Sequence, residues 1–145
     1  MVHKVLKVDG VKAVHSTNII ERMWWKLAVY SGAGVFCVSR GIKDLVWATP
    51  ETKELYRQAI AETVTLAKTK GILLPAPVPD EHIAILDNFT SEWKPSMLVV
   101  LEQGHPLELE YLHGTICAMG RESGLHTPIN DYIYACLKPY VGGMH

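Results

Sequence analysis

A lysine, a serine and a glutamate of this chain stand in contexts that suit chemistry on a carbonyl group. Lys26 lies in the apolar run 23–29, Ser96 follows a proline, and Glu108 comes twelve residues after Ser96. A lysine ammonium supplies a point charge and a transferable proton, which an oxygen that becomes an alkoxide requires. A serine hydroxyl and a carboxylate can hold other groups of a substrate in line. The three residues therefore suggest the reduction of a ketone as a chemistry to consider.

Each of the three residues also has an ordinary structural role. A lysine on a helix commonly lays its aliphatic stem along an apolar surface. Ser96 suits a helix N-cap, and Glu108 in a first helical turn would favour the helix dipole by about 0.5 kcal/mol. Residue type alone leaves both interpretations open at each position.

The elements that would position these residues are mostly helices. Asn18 and its neighbours can cap a helix over about residues 19–40, which would carry Lys26. A threonine followed by proline predicts a second helix over about residues 50–70. Further helices are predicted from Asp80 (with Ile83, Leu86, Phe89 and Trp93 spaced for burial), from Ser96 to Gly104, from Pro106 to Ser123, and from Thr127-Pro128. The fold class is therefore predicted to be all-α.

The N-terminal residues differ from the rest because apolar and polar residues alternate over 5–14, which indicates an extended segment. We accordingly predict an extended connector over 1–15, a helical domain over 16–140 and a short tail over 141–145. The helix over 19–40 contains Gly32 and Gly34, each of which weakens a helix by about 1 kcal/mol relative to alanine. We expect these glycines to admit a neighbouring backbone or to mark a break.

Composition excludes several classes of function. The chain has 145 residues, 48% hydrophobic and 20% charged, which fits one domain with a real core. A formal net charge of -1 gives no reason to expect nucleic acid or an anionic membrane as a partner. No apolar run is long enough to span a bilayer, and no signal peptide is evident, so the predicted location is the cytoplasm.

No metal site is predicted. The three cysteines, Cys37, Cys117 and Cys136, form no C-x-x-C pair and are expected to be reduced thiols. His113 and Cys117 are four residues apart, but without a second ligand pair a core histidine and a core thiol are favoured. Two E-x-x-H pairs, which end at His105 and His113, lie too close in sequence for a di-iron bundle site.

Several runs together resemble the C-terminal half of ketopantoate reductase (2-dehydropantoate 2-reductase). The family signature W-x-K-L stands at 24–27, its P-S-M-L motif at 95–98, its glutamate at Glu108, and its T-P-x-N motif at 127–130. The resemblance covers nearly the whole chain in the family order and spacing. It implies the helical C-terminal domain of the 6-phosphogluconate-dehydrogenase-like type.

The resemblance also implies roles for individual residues. Lys26 matches the proton donor, Ser96 a substrate-binding serine, and Glu108 a glutamate near the cofactor and the substrate. The family reduces ketopantoate to pantoate with NADP(H), which an N-terminal Rossmann domain holds. Two asparagines that hold the substrate in the family are replaced here by Tyr30 and Gly34, and the aspartate of its S-M-L-x-D motif by a valine. Tyr30 is therefore a second candidate for binding a 2-keto acid.

No G-x-G-x-x-G loop follows a strand in this sequence. We therefore expect the chain to be the substrate-side part of a larger reductase, to need a nucleotide-binding domain as its partner, and to be inactive alone. Exposed tryptophans on a helical domain would favour a homodimer. The competing interpretation is a helical dimerisation or regulatory module of the same fold that has lost catalysis.

Overall fold

A computed structural model describes residues 16–74 and 77–144. Within these residues the chain forms α-helices and short 3₁₀ helices, without strands. The α-helices are α1 (Ile19–Ser39), α2 (Lys43–Ala48), α3 (Pro50–Thr69), α4 (Val78–Asp87), α5 (Ser96–Glu102), α6 (His113–Glu122) and α7 (Pro128–Leu137). The 3₁₀ helices are Glu108–Tyr111 and Lys138–Tyr140. The predicted all-α fold is confirmed, while the extended segment predicted over 1–15 lies outside the described residues.

α1 is the central element of the fold, and it packs against α2, α3, α4, α5 and α7. Asn18 caps its N-terminus by accepting a hydrogen bond from the N–H of Glu21 at 3.4 Å, as the sequence predicts. The C-terminal half of α1 forms the middle of the core. Its buried residues are Ala28, Val29, Ser31, Gly32, Gly34, Val35, Phe36 and Cys37.

The two glycines of α1 admit side chains and do not break the helix. A Cβ at Gly32 would lie 2.5 Å from Cε2 of Tyr56, a buried residue of α3. A Cβ at Gly34 would lie 2.5 Å from Nε2 of His113 on α6. The prediction that these positions mark a break or a backbone contact is therefore wrong, because rings of α3 and α6 occupy the space.

A buried network ties α3, α6 and α7 together. The Glu62 carboxylate of α3 accepts hydrogen bonds from the backbone N–H groups of Ile129 (2.8 Å) and Asn130 (3.0 Å) in the first turn of α7. The Asn130 side-chain amide donates to Glu62 as well (2.7 Å), and its oxygen lies 3.0 Å from Nδ1 of His113. Because Thr127 makes no capping hydrogen bond, this carboxylate satisfies the N-terminal donors of α7.

α4 differs from its prediction at both ends. It begins at Val78, with Pro77 at the N-cap, because prolines are tolerated in a first helical turn. Asp80 therefore lies inside the helix, where it pairs with Arg57 of α3, and is not the N-cap. The helix ends before Phe89 and Trp93, which pack against each other edge to face with ring centroids 5.1 Å apart.

Two further features differ from the sequence-based expectation. The helix predicted from Pro106 to Ser123 is interrupted at Leu112, whose φ and ψ of −106° and −94° are not helical. The short helix α2 was not predicted, and its N–H groups at Lys43 and Asp44 donate to the carbonyls of Trp93 and Ser91. Among the described residues, no helix combines the length and the apolar character needed to cross a bilayer.

Candidate active site

Lys26 lies on the N-terminal half of α1, where the helix extends beyond the core. Its side chain is exposed, and Nζ lies 5.2 Å from the centroid of the Tyr30 ring, one turn further along the same face. A cation over an aromatic face at such an exposed site is stabilised by roughly 0.5–1 kcal/mol. The helix therefore presents the ammonium and the tyrosine as one unit.

Glu108 is presented by the 3₁₀ helix Glu108–Tyr111. Its neighbour Glu110 accepts hydrogen bonds from the Tyr134 hydroxyl of α7 (3.0 Å) and from Lys138. The hydrogen bond from Lys138 lowers the pKa of the Glu110 carboxyl, and that from Tyr134 acts in the same direction. Glu110 thus anchors the short helix to α7 while Glu108 remains exposed.

Lys26, Tyr30 and Glu108 face one surface depression of about 480 Å³. The depression is otherwise apolar, with the rest of its lining made by Met23, Trp24, Leu27, Tyr111 and Leu112. The non-helical residue Leu112 terminates the 3₁₀ helix at this wall. An ammonium and a carboxylate in one largely apolar depression can stabilise charge of either sign on a bound molecule. We refer to this feature as the lysine depression.

Ser96 opens α5 and lies beside the lysine depression, in the lining of a separate cavity of about 190 Å³. The N-cap of α5 is Pro95, and no side chain caps this helix. The expected capping role of Ser96 is therefore wrong, and its exposed hydroxyl makes none of the hydrogen bonds found among the described residues. Tyr30 and Leu112 line both spaces, so the cavity and the depression adjoin.

Two polar residues of the cavity were not found by sequence reasoning. The hydroxyl of Tyr56 lies 2.5 Å from Nδ1 of His82, and both rings line the cavity with Ser96. Burial raises the pKa of Tyr56 and lowers the pKa of His82. Both groups are therefore uncharged at neutral pH, and they share one hydrogen bond. The residues are 26 positions apart on α3 and α4, so no local pattern signals the pair.

The position of the second family asparagine is closed to a ligand. Gly34 is buried, and the His113 ring stands where a side chain would have to go. Burial lowers the pKa of His113 to about 4, although the hydrogen bond to Asn130 acts in the opposite direction. His113 and Cys117 are both fully packed in the core, as expected from the absence of a second ligand pair.

Residues 18–141 match the model of the family described as "Ketopantoate reductase PanE/ApbA C terminal". The chain belongs to this family. The match includes Lys26, Tyr30, Ser96 and Glu108, and the family is one of oxidoreductases.

Individual relatives agree with the family match. The chain is 31% identical over 114 residues to the 2-dehydropantoate 2-reductase of Mycobacterium tuberculosis, covering 79% of this chain and 38% of that protein. A dimeric ketopantoate reductase from Staphylococcus aureus superposes with a TM-score of 0.82 at 28% identity, covering 90% of this chain and 46% of that one. The chain thus spans less than half the length of these relatives.

A more distant structure shows the same fold. D-mandelate dehydrogenase, in a ternary structure with NADH and anilino(oxo)acetate, matches with a TM-score of 0.86 at 22% identity, over 97% of this chain and 59% of that one. The fold of the C-terminal domain of ketopantoate reductase is therefore shared with a dehydrogenase of another name.

Proposed function

We propose that this chain is the substrate-side domain of an NADPH-dependent reductase of 2-keto acids, with Lys26 as the proton donor. The observation that carries the proposal is the placement of Lys26, Tyr30 and Glu108 around one depression beside Ser96. The relatives named 2-dehydropantoate 2-reductase support the same reaction class, in which a ketone of a 2-keto acid becomes a secondary alcohol.

The chemistry assigned to the residues of this chain is proton supply and positioning. NADPH, which the partner domain would mainly hold, would supply the hydride for the carbonyl carbon. The ammonium of Lys26 gives its proton to the carbonyl oxygen, which leaves a neutral amine that water reprotonates. Ser96 and Tyr30 offer hydroxyls to the carboxylate or carbonyl oxygen of the substrate. The depression fits a cofactor at its rim because Glu108 offers acceptors for hydroxyl or amide groups beside apolar walls.

The partner domain is proposed to cover the exposed apolar end of α1. Ile19, Ile20 and Met23 are 57%, 49% and 61% exposed, and Tyr111 across the depression is 81% exposed. Large apolar side chains grouped at a site mark a surface that another body covers. Covering this end with a nucleotide-binding domain would exclude water from the lysine depression and strengthen the electrostatic effect of Lys26.

By analogy with the dimeric Staphylococcus aureus enzyme, we also propose a homodimer.

The proposal is tested by joining this chain to the nucleotide-binding domain of the Mycobacterium tuberculosis relative and following NADPH oxidation with a panel of 2-keto acids. We expect turnover with at least one acid, and a loss of about 100-fold or more in kcat for Lys26→Ala, since a positioned proton donor contributes that much. Lys26→Arg should also fail, because a guanidinium does not give up its proton. Lys68→Ala, on the exposed C-terminal turn of α3, is the matched control and should be fully active.

The inactive-module interpretation predicts a different result. In that case the fusion would fold, as shown by a cooperative thermal unfolding transition, and would bind NADPH, but it would turn over none of the acids. Full activity of Lys26→Ala would exclude the lysine as the proton donor. NADPH fluorescence and thermal unfolding of each variant separate these outcomes from failure of the fusion to fold.

A further inference from the structure

The cavity of about 190 Å³ beside the lysine depression has the character of an apolar binding pocket. Its floor is formed by buried residues of α1, α3, α4 and α5, while its mouth is formed by less buried residues, among them Phe89 at 38% exposure. The apolar lining consists of Val29, Ala33, Phe36, Leu86, Phe89, Trp93, Pro95, Met97 and Leu112. An apolar cavity of about 150 Å³ engineered into another protein binds benzene, so a phenyl ring fits a space of this size.

The walls of the cavity already pack aromatic rings edge to face. Phe36 meets Trp93 with ring centroids 5.6 Å apart and an interplanar angle of 88°. Phe36 also meets Tyr56 at 6.0 Å and 85°, and Phe89 meets Trp93 at 5.1 Å and 70°. These separations and angles are those that aromatic pairs prefer. A further aromatic ring entering from the mouth would find ring edges and faces on more than one side.

The polar groups of the cavity are uncharged. Its lining contains none of the aspartate, glutamate, lysine or arginine side chains of the described residues. The neutral Tyr56 and the neutral His82 share a hydrogen bond, and Trp25 packs edge to face against the His82 ring at 5.8 Å. The nearest cation assigned to the site, Lys26, lies in the adjoining depression.

The two spaces therefore divide a ligand into a polar end and an apolar end. Tyr30 and Leu112 line both, so a molecule whose carboxylate and ketone contact Lys26, Tyr30 and Ser96 at this boundary has room for its side chain in the cavity. The family asparagine replaced by Tyr30 would bring an amide to this boundary, whereas tyrosine brings an aromatic ring. The tyrosine thus adds apolar contact area for a side chain at this boundary, while its hydroxyl remains available to the acid group.

We propose that this cavity is the side-chain pocket of the substrate, and that the substrate is a 2-keto acid with an aromatic side chain. The proposal rests on the reductase function proposed above, since the lysine depression has to hold the 2-keto acid group. The residues that determine specificity are those that narrow the cavity or form its mouth, with Ala33 on α1 and Phe89 after α4 as the most direct.

The test uses this chain and three probes, phenylglyoxylate, pyruvate and acetophenone, with binding followed by NMR through the indole N–H signals of Trp25 and Trp93. We expect phenylglyoxylate to bind at least 10-fold more tightly than pyruvate and to shift the Trp93 signal. Ala33→Leu fills the cavity and should remove this preference by weakening phenylglyoxylate binding at least 10-fold more than pyruvate binding. Ala61→Leu, which lines a separate surface pocket beside α7, is the matched control and should leave both affinities unchanged.

A second variant keeps the test independent of folding defects. Phe89→Ala removes a ring from the partly exposed mouth and should also reduce the preference for phenylglyoxylate, even if Ala33→Leu fails to fold. If phenylglyoxylate and pyruvate bind with equal affinity and Lys26→Ala weakens both, the aromatic pocket is wrong. The reductase proposal is then still supported. Equal binding of phenylglyoxylate and acetophenone, unaffected by Lys26→Ala, would overturn both.

Discussion

The two halves of α1 both contain many apolar residues but lie in opposite environments. The first half carries Ile19, Ile20 and Met23 at roughly half exposure or more, whereas the second half carries Ser31 and Phe36 with no exposed surface. The difference arises because α2, α3, α4, α5 and α7 gather around the second half and leave the first half projecting beside the lysine depression. An apolar helix is thus not evidence of burial along its full length, and its uncovered part marks where another body is expected.

The largest contrast should come from truncating a large apolar side chain in each half. Phe36→Ala removes a fully buried side chain that touches Trp47, Tyr56 and Trp93. We expect the free energy of unfolding to fall by about 3–5 kcal/mol. Ile20→Ala in the exposed half is the matched control and should change it by less than about 0.5 kcal/mol. Urea titration followed by circular dichroism measures both, and equal losses would show that the exposed half is buried in solution.

The second contrast is the pH dependence of stability. It involves the buried half of α1 because the ring of His113 packs against Gly34. Burial lowers the pKa of His113 from 6.5 to about 4, so the unfolded chain binds a proton more readily than the folded chain. Stability should therefore be complete above pH 6.5 and should fall between pH 6.5 and pH 4, by about 3 kcal/mol in total.

This pH dependence is checked by urea titration at pH 7, 5.5 and 4.5. His113→Gln should flatten the profile, because the amide does not titrate and can still meet Asn130. His105→Gln, at an exposed histidine outside the core, serves as the control and should retain the slope of the parent chain. An unchanged slope in His113→Gln would assign the effect to another group.

The smallest effect on stability is expected from substitutions of Tyr30, which lies between the two halves of α1 and lines the lysine depression. Tyr30 is 40% exposed, and its ring lies 5.2 Å from Nζ of Lys26. Tyr30→Leu should lower stability by no more than about 1 kcal/mol, since it removes one exposed cation–π contact. Tyr30→Phe should lose less, because the ring remains. Weaker binding of 2-keto acids by Tyr30→Phe would show that the hydroxyl takes part in binding. Equal stability of Tyr30→Leu and Tyr30→Phe would show that the ring does not stabilise the fold.

Local sequence signals predicted the helices well where caps and apolar stripes coincide. Asn18 at an N-cap, and Pro50 and Pro128 at the first helical position, each mark the start of a predicted helix. The placement of Lys26 and Glu108 around one depression follows from family motifs, because nothing in the local pattern brings residues 82 positions apart together. The roles of these residues in catalysis remain predictions for the experiments above.

What the sequence did not predict depends on tertiary contacts. The break at Leu112 has no glycine or proline within it, and it occurs where His113 turns into the core to meet Asn130. The cavity and its Tyr56–His82 pair require α3 and α4 to be packed before they exist. Phe89 and Trp93 have helical spacing but lie beyond the end of α4, so they line a cavity and do not complete a buried stripe.

The interruption at Leu112 marks where the chain turns from the surface into the core. Upstream of it, the hydrogen bonds that Glu110 accepts from Tyr134 and Lys138 fix the turn that exposes Glu108, and downstream the His113 side chain is buried. Because the Thr115 hydroxyl of α6 also donates to the Glu110 carbonyl, the exposed turn and the buried helix are tied to each other. A substitution that shifts His113 in the core is therefore expected to move the carboxylate at the surface.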